Sequence, residues 1–164
     1  MILAVDIGGT SVKMALVSQS GEIGPRHAAQ TAFDGYATPI LTTVIREARR
    51  FLDREGVPVE GIGVSATGQI DAASGAVIGT NGAIPNYEGA QIRREMEAEF
   101  GVPARVLNDA NAAALGECFV GRARGMRHVV MVTFGTGVGG GIVIDGRIYE
   151  GARGIAGEIG LAGP

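Results

Sequence analysis

Asp6-Ile7-Gly8-Gly9-Thr10 sets a carboxylate, two residues without side chains and a hydroxyl next to one another. Backbone N–H groups left bare by paired glycines can bind phosphate oxygens, and a carboxylate such as Asp6 can hold Mg²⁺ directly or through water. The same residues also read as an ordinary hairpin with a capping Asp. A second glycine loop runs through Thr133-Phe134-Gly135-Thr136-Gly137-Val138-Gly139-Gly140-Gly141. Gly135, Gly137 and Gly140 satisfy GxGxxG, but a dinucleotide fingerprint must open a helix. Here IVIDGRIY follows, which is strand and hairpin, so the dinucleotide reading fails. No GxxxxGK[ST] occurs anywhere, which removes the P-loop NTPases. Asn108-Asp109-Ala110-Asn111 are residue types that cap a helix. They equally suit a carboxylate at a helix N-terminus that accepts a hydroxyl proton as general base. Glu158 sits among glycines in Gly157-Glu158-Ile159-Gly160. It reads either as an acceptor for polyol hydroxyls or as a plain loop acid. One combination unites these segments: two glycine-rich phosphate clamps, one per lobe and facing each other, with a carboxylate base between them. That is a phosphoryl-transfer layout, in which catalysis is positioning plus charge neutralisation.

The flanking elements must carry these loops. Ile2–Ile7 is a short apolar run that reads as a buried strand, and Ser11–Ser18 as a second strand joined through the GGT turn. Arg26–Thr31 is a weaker third. Over Pro39–Arg54 the apolar residues Ile40, Leu41, Val44, Ile45, Ala48, Phe51 and Leu52 follow helical spacing, and Gly56 and Pro58 end the helix. Gly61–Ala66 reads as a buried strand leading to Thr67-Gly68, and Gln69–Thr80 as a small hairpin around Ser74-Gly75. A helix is expected over Gly89–Phe100, a strand over Arg105–Leu107 and an Ala-rich helix over Ala110–Val120. Val129–Phe134 follows as a strand, then a hairpin of Ile142–Asp145 and Arg147–Tyr149 around Asp145-Gly146. Strands alternating with helices after an opening meander predict a mixed α/β sheet. The segments MILAVDIGGTSVKMALV and HVVMVTFGTGVGGGIVI repeat one architecture. They predict one lobe over 1–122 and the opening strands of a second, related lobe over 123–164.

Composition narrows the class. The chain has 164 residues, of which 28 are glycine, more than twice the usual share of ~7%. The glycines keep no collagen period, and a 46% hydrophobic, 19% charged chain is not a disordered linker. Cys118 is the only cysteine, so a disulfide scaffold is excluded. A net charge of −3 with Lys13 as the sole lysine lacks the basic footprint of a nucleic-acid binder. No basic leader and no unbroken apolar span is present. These features lead to the expectation of a cytoplasmic protein with neither nucleic-acid nor membrane partners.

The chain resembles the ROK family (repressors, open reading frames, sugar kinases) of the actin-like, ribonuclease-H-like ATPase superfamily. Asp6–Thr10 matches the first phosphate motif, Asn108–Ala112 (NDANA) the segment with the catalytic Asp, and Thr136–Gly141 (TGVGGG) the second phosphate motif. Gly154–Gly160 (GIAGEIG) matches the sugar-binding stretch, and Asn86 in IPNYEG the substrate loop. The resemblance implies that Asp109 deprotonates a sugar hydroxyl that attacks the γ-phosphate of Mg·ATP. Asp6, Gly8, Gly9, Thr10, Thr136, Gly137, Gly139, Gly140 and Gly141 would surround the phosphates, with Mg²⁺ at Asp6 directly or through water. Gly68, Asn86, Asn108, Asp109 and Glu158 would hold the sugar, glucose or an N-acetylhexosamine.

The departures matter as well. Leu161 stands where the family has a sugar- and zinc-contacting His, and the sequence reaches Pro164 without the CxCGxxGCxE zinc motif. No zinc is therefore expected, and the chain is expected to be a truncated, weakly active or inactive kinase. The alternative is a non-catalytic binding or assembly module, or a repressor effector domain lacking its DNA-binding arm. Unpaired strand edges in Val129–Tyr149 favour swapping or association, so a homodimer is expected.

Overall fold

The computed structural model describes residues 1–31, 34–80, 84–135, 137–152 and 154–161. Two compact units divide the chain, Met1–Leu107 and Asn108–Pro164. The first is built on a five-stranded sheet of β1 (Ile2–Ile7), β2 (Ser11–Val17), β3 (Ile23–Gln30), β4 (Gly61–Ala66) and β7 (Ala104–Asn108), in the order β3-β2-β1-β4-β7. β1 pairs antiparallel with β2 and parallel with β4, so the sheet is mixed, as the sequence pattern predicts. Period-two alternation sends Leu3, Val5 and Ile7 into the core beside Val12, Met14 and Leu16. Helix α1 (Ile40–Glu55) adds Val44, Ala48 and Phe51 to the same cluster. Gly56 closes it with φ +63, the left-handed cap that favours glycine.

Between β4 and β7 lie the small hairpin of β5 (Gln69–Asp71) and β6 (Ala76–Gly79), and helix α2 (Ile92–Phe100). The helix begins later than the expected Gly89. The reason is local: the backbone N–H of Gly89 donates to the Val77 carbonyl, and that of Ala90 to Tyr87. With Gly89 at φ +86, these residues form a turn tied to β6 instead of a first helical turn.

The second unit holds α3 (Asp109–Phe119) and an antiparallel sheet of β8 (Val129–Phe134), β9 (Val138–Ile144) and β10 (Arg147–Ile148), in the order β10-β9-β8. α3 packs on β8 and β9. α3 thus groups with β8, β9 and β10 in the second unit. β9 also starts earlier than the expected Ile142. Phe134 pairs with Val138, so the turn is short and Gly139–Gly141 lie within the strand. Among the described residues, no helix is long and apolar enough to cross a membrane.

Candidate functional site

Asp6 is the penultimate residue of β1, and sheet register decides its company. It stands opposite Lys13 on β2 and Ser65 on β4. The Ser65 hydroxyl donates to Asp6 Oδ1 at 2.9 Å, while Lys13 Nζ lies 3.8 Å from Oδ2. The carboxylate is thus oriented but still 46% exposed. Sequence reading assigned no role to Ser65 or Lys13, because a pairing partner far away in the chain is visible only once register is fixed.

The turn after β1 is pinned from several sides. Gly8 N–H donates to the Ser11 carbonyl at 3.0 Å. The Gly9 carbonyl accepts from the hydroxyls of Thr31 and Tyr36, and Thr31 N–H donates to the Thr10 carbonyl. A Cβ on Gly9 would meet nothing closer than Ile84 at 3.9 Å, so packing does not demand glycine there. A backbone that carries no side chain and meets only ordinary contact with Ile84 lets a ligand approach closely.

The second glycine loop divides in two. A Cβ on Gly135 or Gly137 would meet nothing within 4 Å. Gly139, Gly140 and Gly141 are glycines for another reason. A Cβ on Gly141 would lie 2.8 Å from the Ala110 carbonyl and 2.7 Å from the Ala114 methyl of α3, and one on Gly139 would lie 2.7 Å from the Thr133 hydroxyl of β8 and 3.1 Å from the Ala110 methyl. Gly140 faces the other way, where a Cβ would come within 2.5 Å of the Gly157 carbonyl. Close packing of a helix and a loop on the two faces of β9, with the Thr133 hydroxyl on β8, accounts for all three. Thr136 lies outside the described residues.

α3 presents the candidate base. Asn108 caps it, its Oδ1 accepting from the N–H groups of Ala110 at 2.9 Å and Asn111 at 3.3 Å. Asp109 follows in the first turn, exposed, with Oδ1 accepting from Ala110 N–H at 2.8 Å. Asn108→Ala is expected to cost about 1 kcal/mol of stability, and Asn108→Ser to recover most of it, on comparing thermal midpoints. Asn111, read from sequence among the capping residue types, lies instead within α3, buried, and its Oδ1 has no partner. Such orphaned acceptors call for an explanation.

Gly157 has φ +94 and packs against the Gly140 backbone, which docks the Glu158 segment on β9. Burial pushes the Glu158 carboxyl above its ordinary range, and the Asp109 carboxylate adds to the rise. The two acids therefore share one electrostatic environment within this unit. A carboxyl with a raised folded-state pKa binds more protons folded than unfolded, so stability falls as pH climbs from the unfolded value through the folded one. Glu158→Gln is accordingly expected to raise the thermal midpoint at neutral pH and to have no such effect near pH 3. Equal gains at both pH values would exclude this origin.

In the first unit, Gly68 (φ +92) turns the chain after β4, where a Cβ would fall 2.8 Å from the Gly79 carbonyl. Asn86 is exposed and left-handed at φ +57, next to buried Tyr87. Among the described residues, no three His, Cys, Asp or Glu side chains gather as a metal cluster.

The model of the ROK family matches residues 2–162. The chain belongs to the ROK family. It is 38% identical over 160 residues to a β-glucoside kinase of Listeria monocytogenes, covering 97% of this chain and 52% of that kinase. It is 37% identical over 163 residues to a glucokinase of Halalkalibacterium halodurans, covering 96% and 48%. The solved ROK family glucokinase of Streptomyces griseus, in complex with glucose and AMPPNP, matches with a TM-score of 0.83 and 32% identity over 96% of this chain and 48% of that one. The fold is thus the actin-like, ribonuclease-H-like α/β architecture expected from the ROK motifs. The chain spans about half the length of the curated ROK relatives it matches.

Proposed function

We propose that this ROK chain carries the base and phosphate loops of an ATP-dependent sugar kinase acting on a hexose hydroxyl, that of glucose or an N-acetylhexosamine. The observation that supports it most is the placing of Asp109 in the first turn of α3, on a helix capped by Asn108, in the same unit as Glu158, whose carboxyl is raised by burial first and by the Asp109 carboxylate second. Both lie in segments that carry the family's motifs.

In this reading a sugar hydroxyl donates to Asp109, which takes its proton as the oxygen bonds to the γ-phosphorus of ATP. The bond from that phosphorus to the β–γ bridging oxygen breaks, and ADP leaves. Glu158, Asn108, Asn86 and Gly68 hold the remaining hydroxyls. Gly8, Gly9, Thr10 and Gly137 offer backbone and hydroxyl donors to phosphate. Thr136, Gly139, Gly140 and Gly141 complete that loop, Gly139 and Gly141 also letting β9 pack on α3 and Gly140 letting the Gly157 segment pack on β9. Asp6 suits Mg²⁺: one oriented, half-exposed carboxylate plus phosphate and water oxygens is a common donor set for that ion. Mg²⁺ would neutralise phosphate charge.

With about half of a relative's length spanned, slow turnover is the expected result for this chain alone. The test is calorimetric titration with Mg·ATP and with glucose, beside a radiolabelled ATP assay. Weak binding of both ligands, with glucose binding lost in Glu158→Ala, is expected. No binding of either would overturn the kinase reading, and rapid turnover would overturn the low-activity part.

A further inference from the structure

The carbonyl of Gly9 is held by two hydroxyls from later in the first unit. Thr31, fully buried just after β3, donates to it at 3.2 Å, and the Tyr36 hydroxyl donates to it as well. The peptide group joining Gly9 to Thr10 is planar and trans, so its N–H points opposite to its C=O. Fixing the Gly9 oxygen therefore fixes the direction of Thr10 N–H. That donor is open: Gly8 N–H is engaged by the Ser11 carbonyl, but no described residue accepts from Thr10 N–H. Tyr36 reaches Gly9 through a strained backbone, left-handed at φ +65, where a bulky residue is an outlier. Strain of this kind gathers at ligand clamps. Asp34 closes the turn that carries it, its Oδ2 accepting from Thr38 N–H at 2.9 Å and its carbonyl from Ala37 N–H at 3.4 Å. The Tyr36 ring packs against the core of the first unit. A phenylalanine would pack in the same way, and among the described residues the hydroxyl bonds only the Gly9 carbonyl.

We infer that Tyr36 and Thr31 are positioning residues for the first phosphate turn: they hold the Gly9–Thr10 peptide so that Thr10 N–H is aimed at a nucleotide phosphate, without touching the nucleotide themselves. A hydrogen bond weakens steeply as its angle closes, so a peptide free to rotate would lose that contact. Two donors on one carbonyl also polarise the peptide, which makes its N–H the stronger donor. The identity of the anion rests on the kinase reading above, whereas the anchoring of the turn rests on the two hydroxyls alone. Neither residue moves a proton in the reaction, so their effect falls on phosphate binding and spares the sugar.

The test uses Tyr36→Phe, which keeps the ring and removes the hydroxyl. In NMR spectra of the ligand-free chain the Gly9 carbonyl carbon should move upfield, as a carbonyl does on losing a donor. Titration with Mg·AMPPNP should show roughly tenfold weaker binding, ~1.4 kcal/mol, with the affinity for glucose and the thermal midpoint unchanged. Thr31→Val should weaken Mg·AMPPNP binding in the same way, and Thr31→Ser, which keeps a hydroxyl, should recover it. This second pair decides the matter if Tyr36→Phe fails to fold by circular dichroism. Equal Mg·AMPPNP affinity for the parent chain and the hydroxyl-free variants overturns the inference and leaves the kinase reading intact, as does an unmoved Gly9 carbonyl carbon. Equal losses for Mg·AMPPNP and glucose assign the hydroxyls a purely structural role and also overturn it. Absence of Mg·AMPPNP binding by the parent chain overturns the kinase reading, and the phosphate-positioning role with it.

Discussion

Replacing Asp109 by Asn is expected to reduce ATP-dependent sugar phosphorylation by about 10²–10⁴-fold, the usual worth of a positioned general base. The substitution keeps shape and keeps an oxygen that can accept from Ala110 N–H, as Asp109 Oδ1 does. Helix α3 should therefore stay folded, capped by Asn108. What is lost is the group that takes the hydroxyl proton. The measurement is transfer of radiolabel from γ-labelled ATP to glucose, alongside a thermal melt. Equal rates for the two proteins would remove Asp109 from the chemistry. A large fall in melting temperature would assign it a structural role.

Gly141→Val is expected to destabilise the second unit by about 3 kcal/mol or more, since even the first added carbon would press on helix backbone. Its Cβ would sit 2.8 Å from the Ala110 carbonyl and 2.7 Å from the Ala114 methyl, and neither is the movable end of a long side chain. The strand and α3 would have to separate, which at this chain length lowers the melting temperature by roughly 6–12 °C. Gly9→Ala is the counterpart. Its nearest neighbour would be Ile84 at 3.9 Å, so the melt should change by no more than about 0.5 kcal/mol. Phosphate binding should still suffer, because a methyl group would occupy space beside the loop. Scanning calorimetry and nucleotide titration of both variants separate the two kinds of glycine. A stable Gly141→Val would refute the packing account.

Much of the fold was legible in order. The apolar spacing of Ile40–Phe51 marked α1 because a one-sided helix must bury that stripe. The alternation in Ile2–Ile7 marked β1, and the strand, glycine turn, strand sequence marked both units. Asn108 was legible as a cap because its side-chain oxygen suits free helical N–H groups. Gly89–Ala90 misled, since nothing local announces that their N–H groups are engaged by Val77 and Tyr87. The partners of Asp6 were hidden for a similar reason: Ser65 is distant in sequence and meets it through parallel register.

The glycine excess shows where the boundary between the two kinds of knowledge lies. Residue types and spacing alone determined that carboxylates, hydroxyls and bare backbone would cluster at strand ends, because turn and capping chemistry acts over a few residues. They also determined the family, since four such motifs occur in order. Only the tertiary structure decided what each glycine is for. Gly9 has room for a side chain at ordinary contact with Ile84, Gly68 turns the chain through a left-handed φ, and Gly139 and Gly141 let α3 settle on β9. The same residue type serves all three purposes, and the neighbours that distinguish them come from elsewhere in the chain. Equally, Val130, Val132 and Phe134 have the pattern of a core strand. Their face is nonetheless exposed, and alternation along a strand carries no record of which face another element covers.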